Sequence, residues 1–232
     1  NLGQTNLLLG TRRIGALLPT TADDPVFHAW VGAFLQGLAL SGWTLGRNVR
    51  LDTRWAMTAA DIRRQAAELA ALAPEVILAH GSVTVGPLLQ ATRTVPIVFP
   101  VVSDPVGAGF VESLPRPGGN ATGFMSNEYS MAGKWLEVLK EIAPSVTRVA
   151  VLRDPAMPGG TGQYGAIAAA APSMRMEVSP VNVRNAGEIE RAVARNRRIR
   201  RQALKNGRVR VSDKKGRFGG RGVAALVLSR PC

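Results

Sequence analysis

The sequence predicts an α/β protein: a lobe built on a parallel sheet, followed by a second α/β lobe that is incomplete. Three observations lead there. Short apolar runs alternate with helix-period segments from residue 12 onward, the pattern of repeated βαβ units. The runs are near-continuous in Val, Ile, Leu and Ala, as strands covered on both faces are. A second βα series opens near residue 147 and breaks off at Arg195.

Taken in order, RRIGALLP (12–19) reads as a buried strand. Phe27, Val31, Phe34, Leu35 and Leu38 then fall at helical spacing, and Gly42 stops the helix. VRLDTRW (49–55) is the next strand. Thr58 with Asp61 three residues on makes a capping box, and Ile62, Ala66, Leu69 and Ala73 give the following helix one apolar face. EVILAH (75–80) is a strand, VTVGPLLQATR a helix with Pro87 in its first turns, and PIVFPVV (96–102) another strand. An Asp-Pro turn and the loop LPRPGGN (114–120) lead to ATGFM (121–125), a fifth strand for the same sheet.

A helix carrying Met131, Trp135, Val138, Leu139 and Ile142 ends at Pro144, and TRVAVLRD (147–154) starts the second series. A glycine-rich loop is expected before a helix near 162–171, then a strand MEVSPVNV (176–183) and a helix opened by Asn185 and Glu188, a second capping box. That helix loses its stripe. Ile189 and Val193 call for apolar residues at 196 and 197, where Asn196 and Arg197 stand. Beyond it, GVAALVLS (222–229) can form a strand.

The chain has 232 residues and a formal charge of +13. The charge is not spread evenly: residues 195–232 hold 13 of the 29 basic residues against one acid, and residues 1–194 are close to neutral. A polyanion partner would therefore have to be met by the basic segment, whose one aromatic, Phe218, does not supply the interleaved stacking groups of a single-strand binder. Nucleic acid is not expected as a partner. No apolar run approaches the roughly 18 to 20 residues of a membrane-spanning helix. The first ten residues, NLGQTNLLLG, lack the basic region and cleavage site of an export signal.

Catalytic signatures are scarce. Cys232 is the single cysteine, and His28 and His80 have no partner at ligand spacing, so no metal site is expected. There is no GxGxxG after the first strand, no GxxxxGK[ST] and no GxSxG, and no cofactor or catalytic residue is assigned. What remains is a row of polar loops at the carboxyl ends of parallel strands, where open α/β sheets bind ligands. These are Pro19 and Thr20, then His80, Gly81, Ser82 and Thr84, then Ser103, Asp104 and Pro105. The HGSVT loop offers helix N-terminal N–H groups to an anion such as a carboxylate, and Asp104, before a proline expected at the first helical position, offers a carboxylate to an ammonium group. Ser82 and Asp104 are equally good N-caps, a role compatible with ligand contact.

The stretch VSDPVGAGFVESLPRPGGNATGF, with AAELAALAPEVILAHGS, GRNVRLDTRW and GKWLEVLKEIAPSVTRVAVLRD, resembles the ABC transporter substrate-binding proteins of the type I periplasmic fold, in the branch associated with aromatic amino acids. The resemblance runs from about Arg12 to Ala194. It implies a Rossmann-like first lobe over residues 1–126, an incomplete second lobe over 127–194, and a cleft between them holding a small, amino-acid-like molecule that a membrane permease of an ABC importer receives. It implies Gly81, Ser82 and Asp104 as cleft residues, with Asn127, Glu128 and Tyr129 at the crossing; Thr20 joins the candidate ligand-binding residues from the strand-end reading alone. It also implies a periplasmic protein or anchored lipoprotein if an upstream signal exists. The family's continuation is replaced after Ala194 by the basic segment 195–232, which reads as a foreign or frame-shifted terminus. An enzyme on the same scaffold, or a nucleic-acid-associated protein acting through the basic segment, are the alternative readings.

Overall fold

The computed structural model describes residues 11–205 and 222–227; for residues 196–205 and 222–227 the backbone alone is described. The chain divides into two compact units, Asn1–Ser126 and Asn127–Cys232. The opening decapeptide and the basic stretch 206–221 lie outside the described residues.

The first unit contains β1 (Arg12–Leu18), α1 (Pro25–Leu40), β2 (Val49–Trp55), α2 (Ala59–Ala71), β3 (Val76–Ala79), α3 (Ser82–Ala91), β4 (Ile97–Ser103) and β5 (Ala121–Asn127). The strands form one sheet in the order β2-β1-β3-β4-β5. β1 runs parallel to β2 in the register Arg12↔Val49 to Leu18↔Trp55, and parallel to β3 from Ile14↔Val76 to Leu17↔Ala79. β3 and β4 are parallel with Ile77 opposite Ile97. The chain therefore steps from β1 to one side, then crosses back to the other. This reversal between β1 and β3 is a topological switch point, the place where such sheets open a crevice beyond their carboxyl ends.

Packing follows the predicted apolar stripes. Ile62, Ala66 and Leu69 of α2 meet Leu17, Ile77, Ala79, Ile97 and Phe99 of the sheet and Val85 and Leu88 of α3 in one core. Thr58 caps α2 by accepting from the Asp61 N–H at 3.1 Å. The reciprocal half of the capping box is absent: the Asp61 carboxylate accepts from the Thr58 hydroxyl at 2.7 Å, since an aspartate is one methylene too short to reach back as Glu does. α1 is less committed. Phe27 is buried, while Val26, Trp30 and Leu40 remain exposed.

The second unit contains α4 (Ala132–Ile142), β6 (Val146–Arg153), α5 (Pro158–Ala170), β7 (Glu177–Asn182), α6 (Ala186–Lys205) and β8 (Gly222–Val227), with sheet order β7-β6-β8. β6 is parallel to both neighbours. Leu136 of α4, Ile167 of α5 and Val149 and Val151 of β6 form its core, with Trp135 packed against them. At the second capping box Asn185 accepts from the Glu188 N–H at 3.0 Å, and the Glu188 carboxylate reaches one residue further back, to the Arg184 N–H at 2.8 Å. α6 then continues through Arg195 to Lys205.

One expectation is corrected here. The glycine-rich stretch 158–162 is not a loop but the opening of α5, with Pro158 in the first helical turn. The glycines serve close approach. A Cβ on Gly162 would lie 2.1 Å from Tyr129 Cδ2, and one on Gly160 would lie 2.4 Å from the Asp154 carbonyl oxygen.

Candidate functional site

Among the described residues, the buried polar side chains are Thr20, His80, Ser82, Thr84 and Ser103. All five sit at the carboxyl ends of β1, β3 and β4. Burying polar groups costs free energy unless they are paired, so their collection on one edge of one sheet needs a reason.

Part of the reason is local wiring. The His80 N–H donates to the Leu17 carbonyl at 3.2 Å and the Gly81 N–H to the Val101 carbonyl at 3.1 Å, so the end of β3 is tied to both neighbours. Gly81 then turns with φ of +79° and ψ of 158°, a combination essentially confined to glycine, and α3 starts at Ser82. Gly81, not Ser82, is the N-cap residue, and no side chain caps α3. The Thr84 hydroxyl is turned inward, donating toward the His80 and Gly81 carbonyls at 3.0 Å each. The N–H groups of the first turn, on Ser82 and Val83, are thus left without a side-chain acceptor at the positive end of the helix dipole.

The neighbouring loops are more fully engaged. The Thr20 hydroxyl donates to Asp24 at 2.8 Å, and Asp24 caps α1 by accepting from the Val26 and Phe27 N–H groups. The Thr20 hydroxyl, then the Phe27 amide, hold the Asp24 carboxyl below the ordinary aspartate range. On β4, the Ser103 hydroxyl lies 3.3 Å from that of Ser126. Asp104 does not open a helix. Residues 105–109 form turns, Asp104 itself has φ of +42°, and its Oδ1 accepts from the Gly107 N–H at 2.7 Å. Aspartate tolerates this left-handed conformation because its carboxylate closes the turn.

A ring cluster completes the edge. His80 is 6% exposed, with Trp30 stacked on it at a centroid distance of 4.9 Å and 19° between planes, and with Phe27 edge-on at 4.9 Å. Burial pushes its pKa below the ordinary histidine value, opposed by a contact with its own backbone. The pairing of His80 with Trp30 was not read from the sequence. Its one local signal is the i, i+3 spacing of Phe27 and Trp30 in the first turns of α1, directly after a strand end.

Thr20, Gly81, Ser82 and Asp104 thus share one edge of the first unit. Asn127 and Tyr129 belong to the second. The Tyr129 ring is buried against Gly162 of α5, and the Asn127 amide donates to the Glu128 carbonyl at 3.4 Å. The second unit also has a groove of about 520 Å³ between β6, β7 and α6, lined by exposed or half-exposed groups such as Arg148, Glu177, Ser179 and Arg191. Among the described residues there is no His/Cys/Asp/Glu cluster that would hold a metal ion, and no helix long and apolar enough to cross a membrane.

A family model described as ABC transporter substrate binding protein matches residues 20–200. The chain belongs to the ABC transporter substrate-binding protein family. A tyrosine-binding protein of Clostridioides difficile (strain R20291) is 25% identical over 162 residues, 69% of this chain and 46% of that protein. The chain therefore spans about half the length of that curated relative. Among solved structures, a conserved domain protein of Vibrio cholerae superposes with a TM-score of 0.69 at 25% identity, covering 83% of this chain and 63% of that one. A Streptococcus pneumoniae ABC domain in complex with L-Trp gives a TM-score of 0.66 at 23% identity, covering 78% and 60%. The fold of this substrate-binding protein is the type I periplasmic one, with its second lobe present in part.

Proposed function

We propose that the chain is the ligand-holding part of an ABC importer's solute-binding protein, and that it takes an amino-acid-like molecule at the carboxyl edge of β1, β3 and β4. The observation that carries this reading is the gathering at that edge, among the described residues, of the buried Thr20, His80, Ser82, Thr84 and Ser103, at the switch point of the sheet. Family membership supports the class of function, and the tyrosine-binding relative supports the class of ligand.

The residues divide the work by charge. The uncapped N–H groups of Ser82 and Val83, presented by the glycine turn at Gly81, receive the ligand's carboxylate. Asp104, held by the Gly107 N–H, faces the ammonium group. Thr20 lies beside them, with its hydroxyl anchored on Asp24. The reading does not draw on Asn127 and Tyr129, which belong to the second unit. Binding precedes delivery to a membrane permease outside the cytoplasmic face, without chemical change to the ligand.

Titration calorimetry of the chain against a panel of L-amino acids tests the reading. Saturable heat with at least one member, lost when the ligand's carboxylate is replaced by an amide, is the expected result. Heat indifferent to the carboxylate, or none across the panel, contradicts it.

A further inference from the structure

α1 carries two polar side chains, His28 and Gln36, and no charged one, yet Phe27 is its one buried residue. A helix that is apolar all round is ordinarily buried all round. Here Val31, Phe34, Leu35 and Leu38 are half-buried beside Phe27, and the opposite side is open. On it Val26 is 51% exposed and Leu40 84%, with Ala29, Ala33 and Gly37 exposed between them and Trp30 flanking. Trp43 and Leu45, also exposed, carry the apolar strip past the end of the helix. A single exposed apolar residue is ordinary, but a contiguous strip marks a surface that another surface covers. None of the described residues covers it.

Charge says what kind of surface fits. The chain carries +13, so two copies repel and associate best where charge is absent. α1 is such a place: residues 25–40 include no Lys, Arg, Asp or Glu. A strongly acidic or basic partner would find no counter-charge on it. The strip is also self-complementary. Val26 and Leu40 are equidistant in sequence from Ala33, and so are Ala29 and Gly37. A two-fold antiparallel pairing about Ala33 therefore sets the large residues against each other at the ends and the small ones against each other at the crossing. There is room for that approach, since a Cβ added at Gly37 would meet nothing within 4 Å.

We propose that the open side of α1 is a homodimer surface, on which a second copy of this chain lays its own α1 antiparallel, crossing at Ala33. A helix of 16 residues is about 24 Å long, and a strip about 10 Å wide along it covers roughly 240 Å² per copy. A standard interface takes about 800 Å² per partner, so the pair is weak and reversible. The surface is independent of the amino-acid reading above.

Sedimentation velocity on the full chain, from about 10 µM to about 1 mM, reads the association. A monomer–dimer equilibrium is expected within that range, tightening as salt is raised, because the repulsion between two +13 chains is then screened. Ala33→Glu sets like charges against each other at the crossing, and Leu40→Glu buries an unpaired charge at the strip's end. Each should weaken the dimer about tenfold or more, with circular dichroism unchanged; should Ala33→Glu disturb the fold, the highly exposed Leu40 decides alone. The arrangement is read by cross-linking with the thiol oxidant diamide in a Cys232→Ser background. Ala33→Cys should give a disulfide-linked dimer, because residue 33 meets its own copy at the two-fold axis, whereas Leu40→Cys should not. An association unmoved by both glutamates, or cross-linking through Leu40→Cys and not Ala33→Cys, would overturn the proposal. A chain monomeric at every concentration would overturn it too, and would leave the strip to a different protein.

Discussion

The ring of Tyr129 lies against the bare backbone of Gly162, so closely that a methyl group at that position would fall 2.1 Å from Tyr129 Cδ2. The contact explains why a glycine stands at this position inside α5. It also sets a prediction: Gly162→Ala, despite improving helix propensity, should destabilise the second unit by about 1–3 kcal/mol through overpacking. Urea unfolding followed by circular dichroism reads the change, and pairing the substitution with Tyr129→Leu should recover part of the loss. A Gly162→Ala variant as stable as the original would mean that Tyr129 does not pack there.

Gly81 is required for a different reason. A Cβ there would meet only Val83 Cγ2, at 4.0 Å, so space is not the obstacle; the φ of +79° is. Gly81→Ala should cost about 1–3 kcal/mol of stability by forcing a side chain into a region that glycine alone visits freely. Because the turn presents the first N–H groups of α3, amino-acid affinity should fall together with stability. Wild-type affinity in a folded Gly81→Ala protein would show that the turn does not set the anion site.

How much of this was legible in the sequence varies with the range of the interaction. The parallel strands were readable because burial on both faces leaves runs such as IGALL and VILA without polar residues, and the helices between them because Ile62, Ala66 and Leu69 share a stripe. The loop positions Thr20, Gly81, Ser82 and Asp104 were readable as strand ends, since chain order alone places them at one edge. The turn at Asp104 was misread because Asp-Pro opens helices and turns alike, and the choice is made by the Gly107 N–H three residues later. The helical glycines after Pro158 and the Trp30–His80 stack were not readable at all: each is fixed by a partner tens of residues away, Tyr129 in one case and the end of β3 in the other.

His80 gives the first unit a pH dependence with a definite sign. Burial lowers its folded pKa below the ordinary 6.5, so below that value the unfolded chain takes up a proton that the folded chain resists. Its contribution is complete above pH 6.5 and is lost as pH falls from there toward the folded value. Asp24 and Asp61 act in a separate, lower window: their folded pKa values lie below 3.8, so their stabilisation is lost only in stronger acid. Urea midpoints between pH 7 and pH 5 should therefore fall for the unaltered chain and stay flatter for His80→Phe. Parallel curves would mean that His80 titrates normally.

Asp104 separates binding from folding. Asn at this position keeps an oxygen for the Gly107 N–H and tolerates the φ of +42°, so Asp104→Asn should leave the urea midpoint nearly unchanged. On the proposed binding scheme, removing the Asp104 charge should weaken amino-acid binding about ten- to a hundredfold. Calorimetry on the folded variant decides, and unaltered affinity would take Asp104 out of the site.

The central claim is that ligand is held at the start of α3, where the first-turn N–H groups of Ser82 and Val83 lack a side-chain cap. Amide resonances followed by nuclear magnetic resonance during titration with L-phenylalanine test it residue by residue. Saturable shifts at Gly81, Ser82 and Val83, with the groove residues Ser179 and Asn182 still, are the predicted result. Shifts confined to that groove between β7 and α6, with the start of α3 unmoved, would contradict it.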